Sequence, residues 1–252
     1  MVNEKPEANF HNLPTQWSVL QQAVAQRGNS ASQQQWAKLL VYYHSAITAY
    51  IHGATRNPEL AKELTQEFAV KFMEGTFRHA NREKGSFRRY LKTSLSNFVR
   101  NAKDELPHLP LADPMNGPAV EPLRSSENAM DEELQRKFLD VAWAKLRTEQ
   151  GTTGPPYFDA LRTMADNPHL SSEELAERIS KMRGEPFTGA GIRQILKRSR
   201  HKFAEFLYEQ VEHSLDDPST ENVEEELAEL KLLLYCKPIV DVRKHHRSVA
   251  NG

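Results

Sequence analysis

Apolar side chains recur at intervals of three and four residues along most of the chain, and this spacing places them on one face of an α-helix. Three such stripes precede residue 105, and they run from Trp36 to Ile51, from Leu60 to Phe72 and from Phe87 to Ala102. The second stripe follows Asn57 and Pro58, a favourable N-cap and a favourable first helical residue. No segment alternates apolar and polar residues over a sustained length, so we expect no β-sheet.

Proline interrupts the helical pattern in the middle of the chain. Between Glu105 and Asn128 the prolines are Pro107, Pro110, Pro114, Pro118 and Pro122. Because proline inside a helix removes a backbone hydrogen bond and clashes with the preceding turn, we predict a flexible, partly extended linker over residues 105–129. The linker would follow an N-terminal helical domain of residues 13–104.

Helical spacing returns at about Met130 and predicts a second helical domain over residues 130–215. Within it, Ser171 and Glu174 have the spacing of a capping box ahead of a short helix. A C-terminal extension over residues 216–252 is first acidic and then basic. The predicted fold class is therefore all-α, with two helical domains joined by a proline-rich linker.

Composition limits the class of protein. The chain of 252 residues has room for one or two domains, and its 38% apolar content is low for a single globule. No apolar run approaches the ~20 residues of a membrane span, and no apolar stretch of a signal peptide follows the N-terminus. A single cysteine, Cys236, excludes an internal disulfide framework and a multi-cysteine metal site. These features favour a cytoplasmic location, and we find no catalytic constellation, so we expect no enzymatic activity, no cofactor and no metal.

The charges are nearly balanced overall, with 33 basic and 34 acidic residues, but they are unevenly distributed. Between Arg78 and Lys103 there are eight basic residues and one acid, Glu83. Arg88, Lys92 and Arg100 recur there at helical spacing and would share one face. Such a face can be an ordinary solvated surface, but a stripe of one sign repels itself and favours a polyanionic partner.

A second basic cluster contains no acid, and its members are Arg193, Lys197, Arg198, Arg200, His201 and Lys202. A short capped helix, a turn and this basic helix, with Thr188 as its candidate cap, form the outline of a helix-turn-helix, whose second helix enters the DNA major groove. Arg193 and Gln194 would reach base edges. The remaining cations would hold phosphates, and they are Lys197, Arg198, Arg200 and Lys202. The connection from Ser180 to Phe187 is longer than the usual turn of 3–4 residues.

The acidic part of the extension has eight Asp and Glu residues between Glu212 and Glu229, and no Lys or Arg. It could be a solvated or disordered tail. It could also compete with DNA for the basic helices.

Several of these segments resemble the extracytoplasmic-function (ECF) sigma factors of bacterial RNA polymerase. The stretch from Asn57 to Phe72 looks like the polymerase-binding helix of sigma domain 2. The stretch from Gly85 to Asn101 is similar to the helix that melts the promoter and reads its −10 element, and the C-terminal unit is similar to domain 4, which reads the −35 element. Residues 15–18, Thr-Gln-Trp-Ser, resemble the opening of an ECF-like subgroup found in Planctomycetes. The resemblance extends from Leu13 to Leu215.

The resemblance implies a sigma factor that joins core RNA polymerase and directs it to promoter DNA, with an anti-sigma factor as a further candidate partner. The polymerase-binding residues would be Glu63, Gln66, Glu67 and Lys71. Contacts to the −10 region would come from Asn81, Arg82, Lys84, Arg88, Arg89, Lys92, Asn97, Arg100 and Asn101. Contacts to the −35 region would come from Arg193, Gln194, Lys197, Arg198, Arg200 and Lys202. Tyr90 stands where the family often has tryptophan, but it falls on the apolar stripe and we expect it in the core.

Two other functions are compatible with the same residues. A helix-turn-helix regulator would bind DNA without contacting polymerase. A sigma-like adaptor would have lost DNA binding and would act through protein contacts alone.

Overall fold

The computed structural model describes residues 30–74, 86–105 and 120–250, and these residues form an all-α fold. The helices within these ranges are α1 (Ser30–Thr55), α2 (Pro58–Glu74), α3 (Phe87–Glu105), α4 (Val120–Gln150), α5 (Tyr157–Asp166), α6 (Ser172–Arg183), α7 (Gly189–Ser214), α8 (Thr220–Glu229) and α9 (Leu233–Ala250). The described residues contain no strand, and their β-type pairing is limited to an isolated antiparallel bridge between Ser86 and Leu215. None of the described helices combines the length and apolar character that a membrane crossing requires.

The described residues divide into two compact units. The first contains the described residues up to Leu134 together with Glu212–Asn222, and the second contains Gln135–Val211 and the described residues from Val223 onward. The division along the chain therefore falls inside α4.

The core of the first unit is built from the three stripes that the sequence predicts. Tyr43 and Ile47 of α1, Phe68 and Phe72 of α2 and the apolar side of α3 are buried. Aromatic rings join these helices, since the ring centroids of Tyr43 and Phe87 are 4.9 Å apart and those of Phe68 and Phe98 are 5.4 Å apart. Offset and edge-on ring pairs of this kind add to the free energy gained by burial. Tyr90 is buried against Phe72 and Phe87, so its predicted place in the core is confirmed.

The start of α2 follows the local prediction. The Oδ1 atom of Asn57 accepts hydrogen bonds from the backbone N–H groups of Glu59 and Leu60, at 3.0 and 3.2 Å. Pro58 is the first helical residue. Proline has no backbone N–H, and at this position the helix loses nothing, because an N–H there would have no partner within the helix.

Helix α4 begins at Val120, about ten residues before the helix predicted to start near Met130. Residues 120–129 of the predicted linker are therefore helical, and residues 106–119 of it lie outside the described residues. Pro122 is compatible with the helix because it lies in the first turn, where the backbone N–H groups have no carbonyl partner within the helix. Gly53 lets α1 approach this helix closely, since a Cβ at that position would lie 2.9 Å from the Cα of Ser126.

The described part of the C-terminal extension forms helices α8 and α9. Val223, Leu227, Cys236 and Val240 are buried, so the part of the acidic segment that lies in α8 is packed and is not a disordered tail. The thiol of Cys236 contacts the backbone oxygen of Ala204 at 3.6 Å. Burial raises the pKa of this thiol to about 12, which is the behaviour of a packed, unreactive cysteine.

Candidate nucleic-acid interface

Helices α5, α6 and α7 share a small apolar core in the second unit. Its buried members are Ala160, Leu175, Ala176, Ile179, Ile192 and Leu196. Phe187, in the connection between α6 and α7, packs against the same cluster. A three-helix core of this kind holds the second and third helices at a defined angle, as a helix-turn-helix requires.

The capping box predicted from Ser171 and Glu174 is present at the start of α6. The backbone N–H of Glu174 donates to the hydroxyl oxygen of Ser171 at 3.2 Å, and the Glu174 carboxylate accepts from the backbone N–H of Ser171 at 2.8 Å. The Ser171 hydroxyl also donates to this carboxylate at 2.7 Å. These hydrogen bonds, that of the hydroxyl first, lower the pKa of Glu174. The Thr188 hydroxyl accepts from the N–H of Gly191 at 3.1 Å, which confirms Thr188 as the cap of α7.

The connection between α6 and α7 is shorter than the sequence suggests. Helix α6 continues to Arg183 and ends at Gly184, whose φ of 72° is left-handed and suits glycine. Five residues, 184–188, then lead to α7, in place of the longer segment expected from Ser180 to Phe187. The Ser180 hydroxyl accepts from the N–H of Phe187 at 2.8 Å and holds the connection against α6. The length of the connection is thus closer to that of a standard helix-turn-helix than the sequence predicts.

Arg183 fixes the end of α6 to the turn that follows α4. Its guanidinium donates to the backbone oxygens of Thr152 and Gly154 at 3.2 and 3.0 Å, and it lies 3.7 Å from the carboxylate of Asp159. The side-chain amide of Gln150 donates to the same carboxylate at 2.8 Å. Arg183 therefore has a structural role. The sequence around it gives no sign of this role, because a basic residue is common in the last turn of a helix.

One face of α7 is cationic and exposed. The exposed residues on this face, called the α7 basic face, are Arg193, Gln194, Lys197, Arg198 and Arg200. At 3.6 residues per turn, Gln194, Lys197 and Arg198 fall on the side away from the buried Ile192 and Leu196, and Arg193 and Arg200 lie at the edges of the exposed surface. Lys197, Arg198 and Arg200 form no ion pair or hydrogen bond with any residue that the structure describes. Their charges are therefore available to a partner.

Arg193 is exposed but has an intramolecular partner. Its Nη1 atom lies 3.3 Å from Oε1 of Glu173, and more than half of each side chain is exposed. Exposed pairs contribute only about 0–1 kcal/mol, so a DNA group can replace the Glu173 carboxylate at little cost.

Lys202 does not belong to the α7 basic face. Its ammonium donates to the carboxylate of Glu149 at 2.7 Å and lies 5.6 Å from the ring centre of Tyr157. The hydrogen bond to Glu149 raises the pKa of Lys202. Lys202 is therefore already paired within the protein, because its position on the helix directs it toward α4.

The basic face predicted on α3 is largely occupied by the protein's own carboxylates. Arg88 is 3% exposed, and its Nη1 atom lies 2.9 Å from Oδ1 of Asp131. Lys92 lies 2.7 Å from Oδ2 of the same carboxylate and 3.8 Å from Glu127. Asp131 and Glu127 belong to α4, about forty residues away in the chain, and helical spacing within α3 gives no sign of them. Arg88 and Lys92 are therefore engaged by the protein's own carboxylates and are not left as open cations on the surface.

Other predicted −10 residues remain on the surface of α3. Arg89, Arg100 and Asn101 are exposed, and Asn97 is half-buried. The Nη2 atom of Arg100 donates to Oδ1 of Asn97 at 3.0 Å. The predicted contacts Asn81, Arg82 and Lys84 lie outside the described residues.

The predicted polymerase-binding residues lie on one side of α2. Glu63, Gln66 and Glu67 are exposed, whereas Lys71 is partly buried, pairs with Glu67 at 2.7 Å and lies over the ring of Phe98. Val70, 57% exposed, is on the same side at helical spacing from Glu63 and Glu67. Val70 is not among the candidate binding residues predicted from the sequence. An apolar residue outside the buried stripe of a helix is nevertheless a signal that the sequence contains.

Comparison of the chain with models of known protein families, with curated proteins and with solved structures finds no match. Among the described residues, no group of three or more His, Cys, Asp or Glu side chains could hold a metal ion. A proposal for the function of this protein therefore rests on the arrangement of its own residues.

Proposed function

We propose that this protein is a DNA-binding factor of the sigma type, which joins RNA polymerase and directs it to promoters. The observation that carries this proposal is the α7 basic face, on which Lys197, Arg198 and Arg200 are exposed without an intramolecular partner among the described residues. Unpaired charges of one sign repel each other, and binding of a polyanion relieves that repulsion.

The arrangement of α6 and α7 supports duplex DNA as the polyanion. An α-helix fits the major groove, which is about 12 Å wide, and residues near its N-terminal end reach base edges. Arg193 and Gln194 stand in the first turns of α7, where they would pair with guanine and adenine respectively. Lys197, Arg198 and Arg200 follow within two turns and would contact phosphates.

The resemblance to sigma factors adds a second contact and a polymerase-binding surface to the proposal. Arg89, Asn97, Arg100 and Asn101 on α3, with Asn81, Arg82 and Lys84 of the preceding segment, would contact the −10 region. Two weak contacts on one DNA molecule raise the overall affinity because the second becomes intramolecular. The exposed side of α2, with Glu63, Gln66 and Glu67, would bind polymerase.

Replacing three residues of the α7 basic face tests the DNA contact. We expect the variant Arg193→Ala/Lys197→Ala/Arg200→Ala to lose about a hundredfold or more in affinity for its promoter DNA, since each lost contact costs ~1–3 kcal/mol. The measurement is fluorescence anisotropy with promoter fragments selected from a genomic library by the protein with core polymerase. Lys181→Ala is the matched control, because Lys181 is an exposed cation of α6 that pairs with Glu177. Equal affinity of the triple variant and the wild type would refute this interface.

Charge reversal on α2 tests the polymerase contact separately. We expect Glu63→Lys/Glu67→Lys to lose co-elution with core polymerase while its fold is retained, because both side chains are exposed. Glu132→Lys, an exposed position of α4, is the control and should co-elute like the wild type. DNA binding without co-elution of the wild-type protein would identify a helix-turn-helix regulator. Co-elution without DNA binding would identify an adaptor.

A further inference from the structure

Helix α9 exposes apolar side chains on one face although its opposite face is buried. Leu234 is 85% exposed and Val242 is 52% exposed, and Pro238 between them is also exposed. Cys236, together with Val240, anchors the opposite side in the second unit. Single exposed apolar residues are common on proteins, but here they recur every four residues on a helix whose position is fixed by its buried side.

The spacing of these residues suits packing against another helix. Leu234, Pro238 and Val242, called the α9 ridge, form a row of side chains at intervals of four, and such rows pack into the grooves of a facing helix. In an antiparallel pair with a two-fold axis near Pro238, Leu234 of each copy faces Val242 of the other. A two-fold interface uses the same surface on both copies, so the surface has to be complementary to itself.

The charges beside the α9 ridge meet this requirement. Lys237 and Asp241 lie on one flank of the ridge, are exposed and have no ion pair or hydrogen bond with any described residue. An antiparallel two-fold axis places the same flank of both copies side by side and reverses its direction. Lys237 of one copy then faces Asp241 of the other, and this contact occurs twice in each dimer. A parallel pair would instead bring different flanks of the two helices together.

We propose that α9 docks against α9 of a second copy of this chain, in an antiparallel homodimer centred near Pro238. One helical ridge from each copy buries less surface than the ~1,200–2,000 Å² of a standard interface, so the dimer is weak and forms at micromolar or higher concentration. The proposal is independent of the DNA-binding function.

Sedimentation equilibrium of the full chain, from about 1 µM to about 1 mM, tests the dimer. We expect a monomer–dimer equilibrium whose dissociation constant rises at least about tenfold in Leu234→Gln and in Lys237→Glu. The double variant Lys237→Glu/Asp241→Lys restores the pairing with exchanged charges, and its dissociation constant should return to within about threefold of the wild type. Met182→Gln is the control, because Met182 is an exposed apolar residue of α6 and should leave the equilibrium unchanged.

Three results would overturn the proposal. The wild type could remain monomeric over the whole concentration range. A dimer could form but be indifferent to Leu234→Gln and Lys237→Glu, which would place the interface elsewhere. The double charge exchange could also bind as weakly as Lys237→Glu alone, which would exclude the antiparallel arrangement. Circular dichroism of each variant confirms that the exposed substitutions leave the fold intact.

Discussion

Arg88 and Lys197 are both basic residues on the polar side of a helix, but they have opposite environments. Arg88 is buried against the carboxylate of Asp131, whereas Lys197 is exposed and has no partner among the described residues. A buried charge loses its hydration and has to be compensated by a close opposite charge. The role of each cation is therefore decided by the helix that packs beside it.

The pairing of Arg88 with Asp131 predicts a large effect on stability. We expect Arg88→Ala to lower the free energy of unfolding by about 2 kcal/mol or more, because it removes a buried, charged hydrogen bond and the packing of the Arg88 side chain, and leaves Lys92 to compensate Asp131. Arg100→Ala, at an exposed position of the same helix, should change it by no more than about 0.5 kcal/mol. Urea denaturation followed by circular dichroism measures both. Unchanged stability of Arg88→Ala, with weaker promoter DNA binding, would return Arg88 to the DNA interface.

At the scale of the helix, local signals identify the N-terminal ends of α2, α6 and α7 correctly. Asn57, Ser171 and Thr188 each accept a hydrogen bond from an N–H of the first helical turn, as their sequence neighbourhoods predict. Such caps depend on residues within four positions of one another, so the sequence alone contains the necessary information. The sequence predicts a linker where α4 begins, because proline usually breaks a helix. A proline in the first turn, however, does not stop a helix.

The capping box of α6 predicts a stability effect that depends on pH. We expect Ser171→Ala to lower the free energy of unfolding by about 1 kcal/mol near neutral pH. The pKa of Glu174 is lowered by its hydrogen bonds to Ser171, so this carboxylate stabilises the fold above its ordinary pKa of 4.5. The contribution is lost as the pH falls through the lower pKa of the folded state.

The difference between the wild type and Ser171→Ala should therefore be smaller at about pH 3 than at about pH 7. Urea denaturation at the two pH values provides the measurement. Ser172→Ala is the matched control, because the Ser172 hydroxyl makes no hydrogen bond within the described part of the chain. A pH-independent cost of Ser171→Ala would show that the charged carboxylate of Glu174 contributes nothing to the cap.

At the scale of the whole molecule, the balanced total charge conceals a separation of cations from acids. The acids of α8 do not pair with Lys197, Arg198 or Arg200, since these three cations have no partner among the described residues. Lys244, which belongs to α9, pairs instead with Glu224 of α8. The structure therefore gives no support to competition between the acidic segment and DNA for the α7 basic face.

The α7 basic face also predicts how salt changes DNA affinity. Each neutralised phosphate of duplex DNA contributes about −0.9 to the slope of log K against log salt concentration. We therefore expect Lys197→Ala/Arg198→Ala/Arg200→Ala to reduce the magnitude of this slope by up to about 2.7. Lys202→Ala should leave the slope unchanged, because Lys202 is paired with Glu149. Anisotropy titrations at several salt concentrations give both slopes, and equal slopes for the triple variant and the wild type would contradict the phosphate contacts.

The sequence by itself determined the all-α class, the apolar faces of the helices and the positions of several caps, because these features depend on residues within one or two helical turns. Only the tertiary structure decided which cations remain on the surface. Asp131 and Glu127 come from α4 to occupy Arg88 and Lys92, and Glu149 occupies Lys202. Ion pairs between distant segments depend on how the helices pack, and a charge pattern within one helix contains no information about them.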